Sequence, residues 1–169
     1  MSIQGKAVVA PSDLPADAPT GRYVDTLALV ERLHRLLLDV IKDEFERLGL
    51  LDVNPVQALL LFNIGDNEVT AGELKSRGYY QGSNVSYNLK KLVEAGYMHH
   101  QRCGVDRRAV RIKLTEKGRA IRQSVGALFD RHADDLAARG LFGGEAGAEV
   151  ASGLRRIERY WTEQIRYIY

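Results

Sequence analysis

Residues 70–118 read TAGELKSRGYYQGSNVSYNLKKLVEAGYMHHQRCGVDRRAVRIKLTEKG. Two short helical patterns, a turn and an arginine-tipped hairpin follow one another there without a gap. Thr70 stands three residues before Glu73, the capping-box spacing that opens a short helix. Gly78 to Gly82 turns the chain, and Ser83 is placed to cap a second helix that Gly96 stops. On that second helix Val85, Leu89, Leu92 and Val93 form one stripe, with Ser83, Asn84, Tyr87, Lys90 and Lys91 on the opposite side. The form is a helix-turn-helix, in which one face packs and the other is left to touch a partner.

Downstream, Tyr97 to Cys103 reads as a strand, Gly104 to Arg107 as a turn, and Arg108 to Leu114 as a returning strand. In the latter, Val110, Ile112 and Leu114 alternate with Arg111 and Lys113, so the pair forms a two-stranded wing. Upstream, Glu68-Val69 is long enough only for a fragment of strand, and Gly65-Asp66-Asn67 supplies a turn. Val56 to Ile64 is nearly all apolar, a buried helix supporting the helix-turn-helix, and Asn54-Pro55 opens it with a cap and a first-turn proline.

A long helix precedes these elements, from about Tyr23 to Leu48, where Gly49 closes it. Leu27, Val30, Leu37, Leu38, Ile41, Phe45 and Leu48 form one apolar stripe, and Leu29, Leu33, Leu36 and Val40 form another. Two stripes call for two partners, either the chain's own core and a neighbouring chain, or a wholly internal site. After the wing, Thr115 begins a helix with Glu116 in its first turn, and the stripe Ile121, Val125, Leu128, Phe129, His132 and Leu136 carries it to about Ala138. The glycine-rich run Gly140 to Gly147 interrupts the pattern before Val150, Leu154, Ile157, Trp161, Ile165 and Ile168 define a final amphipathic helix. Residues 1 to 20, with Pro11, Pro15 and Pro19, lack periodicity and read as an arm laid against a folded surface or a second subunit.

The expected fold is therefore mainly α with a small β-wing. A winged helix-turn-helix domain spans 49–114, a flanking helical region spans 22–48 and 115–169, and an N-terminal arm spans 1–21.

At 169 residues and 45% hydrophobic content, the chain can bury a core. Its formal net charge of +2 says little about partners, but the distribution of charge says more. From Lys75 to Arg119, eleven cations face three carboxylates, a net +8, so the remainder is acidic. The single cysteine, Cys103, excludes an internal disulfide, no signal-type segment opens the chain, and no apolar run nears the ~20 residues of a membrane span. A cytoplasmic address follows as the default.

Catalytic and metal chemistry find no footing. His99 and Cys103 alternate onto one strand face and His100 onto the other, without an acidic partner, so no metal site is expected. Ser83, Ser86 and the four histidines form no nucleophile-base-carboxylate pattern, and neither a phosphate-binding glycine loop nor HExxH occurs. No enzyme and no cofactor are expected. Cys103 beside Arg102 and Arg107 invites a redox switch, but a lone cysteine at a wing base is read as incidental.

The order of elements, with Asp106-x-Arg108 followed after five residues by Leu114-Thr115-x-x-Gly118, resembles the MarR family of winged-helix transcription regulators. The resemblance covers roughly residues 23 to 168, and VSYNLKKLVEAGY (85–97) looks most similar to the alphaproteobacterial PetP and LdtR type. It implies a homodimer, with the helices of 22–48 and 115–169 as its dimerisation region, most simply a repressor, on a pseudo-palindromic operator of double-stranded DNA, with half-sites about 10 base pairs apart. Recognition-helix contacts then fall on Ser83, Asn84, Ser86, Tyr87, Lys90 and Lys91, and a wing contact on Arg108, oriented by Asp106. Tyr87 and Asn88 depart from the commoner family pattern, so base preference does not carry over.

The side-chain chemistry refines these roles. A guanidinium at a hairpin tip suits the negative potential of a narrow minor groove, which assigns Arg108 to the groove and Arg107 to phosphate. Lys90 and Lys91 suit phosphates, Asn84 suits base edges, and Ser83 is read first as a cap. The resemblance also implies a small aromatic or anionic effector, for which His34, Phe62 and Phe129 are candidate lining residues, each with an ordinary core reading beside it. The competing class is a winged-helix protein-interaction module without operator binding, against which the concentrated +8 charge argues.

Overall fold

A computed structural model of the chain describes residues 18–66, 68–70, 73, 82–102 and 110–168, without the side chains of 82–85, 100–102, 110 and 166–168. The chain divides into two units, Met1–Gln57 and Ala58–Tyr169.

The first unit is dominated by helix α1, Pro19–Leu48. It starts about one turn before the Tyr23 start that periodicity predicts, because Pro19 sits in the first turn, where its fixed φ suits a helix and its missing N–H is not needed. Gly49, at φ 68°, ends it, with its own N–H donating to Glu46 O and that of Leu50 to Phe45 O. Ile41 and Phe45 are buried. Glu44 is buried too, and Arg47 donates to both its oxygens at 2.8 and 2.7 Å, which raises the Arg47 pKa above its ordinary value. Of the second stripe, Leu29, Leu33 and Leu36 are exposed and Val40 is half-buried.

Helix α2, Pro55–Ile64, runs across the boundary. The Asn54 side chain accepts from Gln57 N (2.9 Å) and the Gln57 side chain accepts from Asn54 N (3.2 Å), a reciprocal cap at the predicted start. Ala58, Leu60, Leu61 and Ile64 are buried, as a helix apolar on every face requires.

In the second unit follow β1 (Val69–Thr70), α3 (Gly82–Glu94), β2 (Met98–Arg102), β3 (Val110–Leu114), α4 (Glu116–Ala138) and α5 (Gly144–Ile168). The Thr70–Glu73 box is formed: Glu73 N donates to Thr70 Oγ1 (3.1 Å) and Thr70 N to the Glu73 carboxylate (2.6 Å). The body of the helix expected after it lies outside the described residues.

The wing is a three-stranded antiparallel sheet, β1-β3-β2, rather than the two-stranded hairpin read from sequence. Two residues of β1 suffice because Val69 lies opposite Ile112, and both are buried. Met98 and Leu114, themselves paired, extend this apolar sheet face. Leu89 and Leu92 of α3, Tyr97, and Ile121, Val125 and Leu128 of α4 are buried as well. Helix α5 starts at Gly144, within the glycine-rich run and ahead of Val150. A Cβ at Gly147 would stand only 3.2 Å from the Phe142 ring, so that glycine gives the ring room inside the helix rather than breaking it.

Candidate nucleic-acid interface

Helix α3 divides as its sequence requires. Leu89 and Leu92 are buried, whereas Ser86, Tyr87, Lys90 and Lys91 are exposed, Tyr87 at 62%. Ser83 and Asn84 lie in the first turn. Since the helix opens at Gly82, Ser83 sits inside it and not at the flanking cap position read from sequence. Glu94 reaches both lysines, at 3.8 Å from Lys90 Nζ and 3.6 Å from Lys91 Nζ. Lys91 Nζ also stands 5.9 Å from the centre of the Tyr87 ring.

The far end of α3 is fixed to α4. Gly96, at φ 76°, reverses the chain, and its N–H donates to Val93 O while that of Tyr97 donates to Leu92 O. The carbonyls left over are taken by the first turn of α4: Thr115 Oγ1 donates to Gly96 O (2.8 Å), Lys117 Nζ to Ala95 O (3.1 Å) and Thr115 N to Tyr97 O (3.1 Å). Thr115 Oγ1 also accepts from Gly118 N (3.1 Å), capping α4, and the Lys117 ammonium lies 4.1 Å from the centre of the buried Tyr97 ring. Gly118 passes so close to the Tyr97 carbonyl that no Cβ fits between them. The Leu114-Thr115-x-x-Gly118 spacing is thus the joint that sets where the C-terminal end of α3 stands.

On the wing, β2 and β3 pair from Met98 opposite Leu114 to Arg102 opposite Val110. Asp106, Arg107 and Arg108 fall in the connection between these strands and lie outside the described residues, as does Cys103. On the solvent face of the sheet, Glu68, His99, Arg111 and Lys113 line a shallow recess, with Arg111 paired to Glu68 at 3.3 Å. Arg122 of α4 donates to both oxygens of Asp66 (2.9 and 2.8 Å), tying α4 to the turn after α2. Neither pair is legible in the sequence, since their partners stand 43 and 56 residues apart and leave no local spacing to read. Glu94, by contrast, sits at helical spacing from both lysines and was detectable.

Of the candidate effector residues, Phe62 and Phe129 pack edge to face, with ring centres 5.0 Å apart. His34 is exposed on α1. No helix among the described residues is long and apolar enough to cross a membrane.

Residues 53–118 match the winged helix DNA-binding domain family. Over 164 residues the chain is 34% identical to the exopolysaccharide II synthesis transcriptional activator ExpG of Rhizobium meliloti (strain 1021), covering 92% of this chain and 82% of that protein. A MarR transcriptional regulator from Methanosarcina mazei Go1 superposes with a TM-score of 0.65 at 19% identity, over 84% of this chain and 98% of that one. A mutant MarR from E. coli, solved in complex with operator DNA, superposes with a TM-score of 0.63 at 18% identity, over 83% and 99%. With α3, the three-stranded sheet and the flanking helices in this order, the chain belongs to the MarR family of winged-helix transcriptional regulators, DNA-binding proteins and not enzymes.

Proposed function

We propose that the chain acts as a homodimer on a pseudo-palindromic operator, each protomer laying α3 in a major groove, with half-sites about 10 base pairs apart. The observation that carries the reading is the exposed face of α3, bearing Ser86, Tyr87, Lys90 and Lys91, on a helix whose far end is held by Thr115, Lys117 and Gly118. In this reading Asn84 and Tyr87 meet base edges, and Lys90 and Lys91 hold phosphates. Arg108, oriented by Asp106, enters the minor groove while Arg107 takes phosphate. Dimerisation is supported by exposed apolar residues on two helices, Leu29, Leu33 and Leu36 on α1 and Val150, Leu154 and Ile165 on α5. A DNA partner gives a cytoplasmic address.

Repression by operator occupancy is the sign expected from sequence. The role of the ExpG relative as an activator supports the second reading, activation from the same site. Release by a small aromatic or anionic effector belongs to the proposal through the family resemblance, and thermal-shift screening with phenolic acids followed by operator titration tests it. The core reading is tested by titrating the chain into DNA from upstream of its own gene over a salt series, with sedimentation velocity on the free protein. A dimer whose affinity falls steeply with salt is expected, by about 0.9 in the log–log slope per phosphate neutralised. A monomer, or no DNA binding, overturns it. A promoter fusion in a deletion strain then assigns the sign.

A further inference from the structure

We infer that Glu94 sets the affinity of the DNA-binding face: it is an internal counter-ion that holds Lys90 and Lys91 until DNA phosphate replaces it. The inference rests on the proposed role of these lysines as phosphate contacts. From residue 74 to residue 105 the chain carries no other carboxylate, yet this one lies 3.8 Å from Lys90 Nζ and 3.6 Å from Lys91 Nζ. Its position serves the helix poorly. Glu94 is the last residue of α3, where the helix dipole disfavours a negative charge, and an acidic residue there also repels DNA. The side chains of Glu94, Lys90 and Lys91 are 51%, 75% and 50% exposed, so both pairs are weak and exchange readily for a phosphate.

The exchange is nevertheless incomplete as a release of charge. A carboxylate within 4 Å of both ammonium groups lies well inside the ~8 Å screening length of physiological salt from any phosphate those lysines engage. Glu94 therefore subtracts from the affinity of every DNA, operator or not, because the backbone it opposes carries no sequence. Its effect is to keep the dimer's hold on DNA weak and reversible despite the net +8 of the surrounding segment.

The test is Glu94→Gln, which keeps size and helix propensity while removing the charge. Measured by fluorescence anisotropy at about 0.15 M salt, the variant dimer is expected to bind operator and scrambled duplexes alike about five- to tenfold more tightly, with a steeper salt slope. In a Lys90→Gln/Lys91→Gln background the same substitution is expected to gain about twofold or less. Unchanged affinity, a gain that persists in full without the lysines, or a gain confined to the operator each overturns the inference. If wild-type protein binds no DNA while its helical circular dichroism is intact, the operator-binding reading itself fails, and the inference with it.

Discussion

Replacing Gly118 with alanine puts the joint between α3 and α4 under direct strain. A Cβ built there falls deep inside the contact distance of the Tyr97 carbonyl oxygen, 3.2 Å from its carbon and 3.4 Å from Leu114 Cβ. The obstacle is backbone, so no rotamer change relieves it. The first turn of α4 must move away from β2, stretching the Thr115 N to Tyr97 O bond and the Thr115 Oγ1 to Gly96 O bond, now 3.1 and 2.8 Å. Overpacking of this kind costs about 1–3 kcal/mol, and a weakened cap adds about 1. Alanine's better helix propensity returns up to about 1 kcal/mol, leaving a net loss of about 1–3 kcal/mol. For a chain of 169 residues that corresponds to a fall in Tm of about 2–12 °C. Gly126, in the same helix, serves as the control: its nearest neighbour to a new Cβ is the Phe62 ring at 3.8 Å, an ordinary contact. Gly126→Ala should therefore be neutral or stabilising by up to about 1 kcal/mol. Urea titrations followed by far-UV circular dichroism measure both. A Gly118→Ala protein within about 0.5 kcal/mol of wild type would refute the reasoning.

Thr115→Val removes the hydroxyl that caps α4 and donates to Gly96 O, so a loss of about 1–3 kcal/mol is expected in the same titrations. Asn54→Ala strips one half of the reciprocal cap on α2 and should cost about 1 kcal/mol. Arg108→Ala, on the proposed function, should weaken operator binding by roughly tenfold or more with Tm unchanged, read by anisotropy and a thermal melt.

Where the fold depends on spacing within a few residues, the sequence can be read closely. The Thr70–Glu73 box, the Asn54 cap, the Gly49 and Gly96 endings and the Glu116 to Ala138 helix all follow from local chemistry. Less is legible where neighbours in space decide. A fragment of strand is expected at Glu68-Val69 and β1 stands there, but its pairing with Ile112 and Arg111, which makes it the third strand of the sheet, has no local spacing to announce it. Helix α1 begins about a turn ahead of the start its periodicity marks, because Pro19, which lies in the aperiodic stretch, suits the first turn of a helix. At the site, the alternation of buried and exposed positions along α3 was readable, whereas the cation and hydrogen-bond seat of Lys117 on Tyr97 and Ala95 was not. That seat joins residues 20 and 22 positions apart, brought together only by the returning wing.

The central claim is that two copies of α3, held at fixed separation, read DNA. Selection of bound duplexes from a random pool tests it most directly. The account predicts enrichment of an inverted repeat with half-site centres about 10 base pairs apart, lost when Asn84 and Tyr87 are replaced together by alanine. Enrichment of an asymmetric single site, or no enrichment above the starting pool, would contradict it.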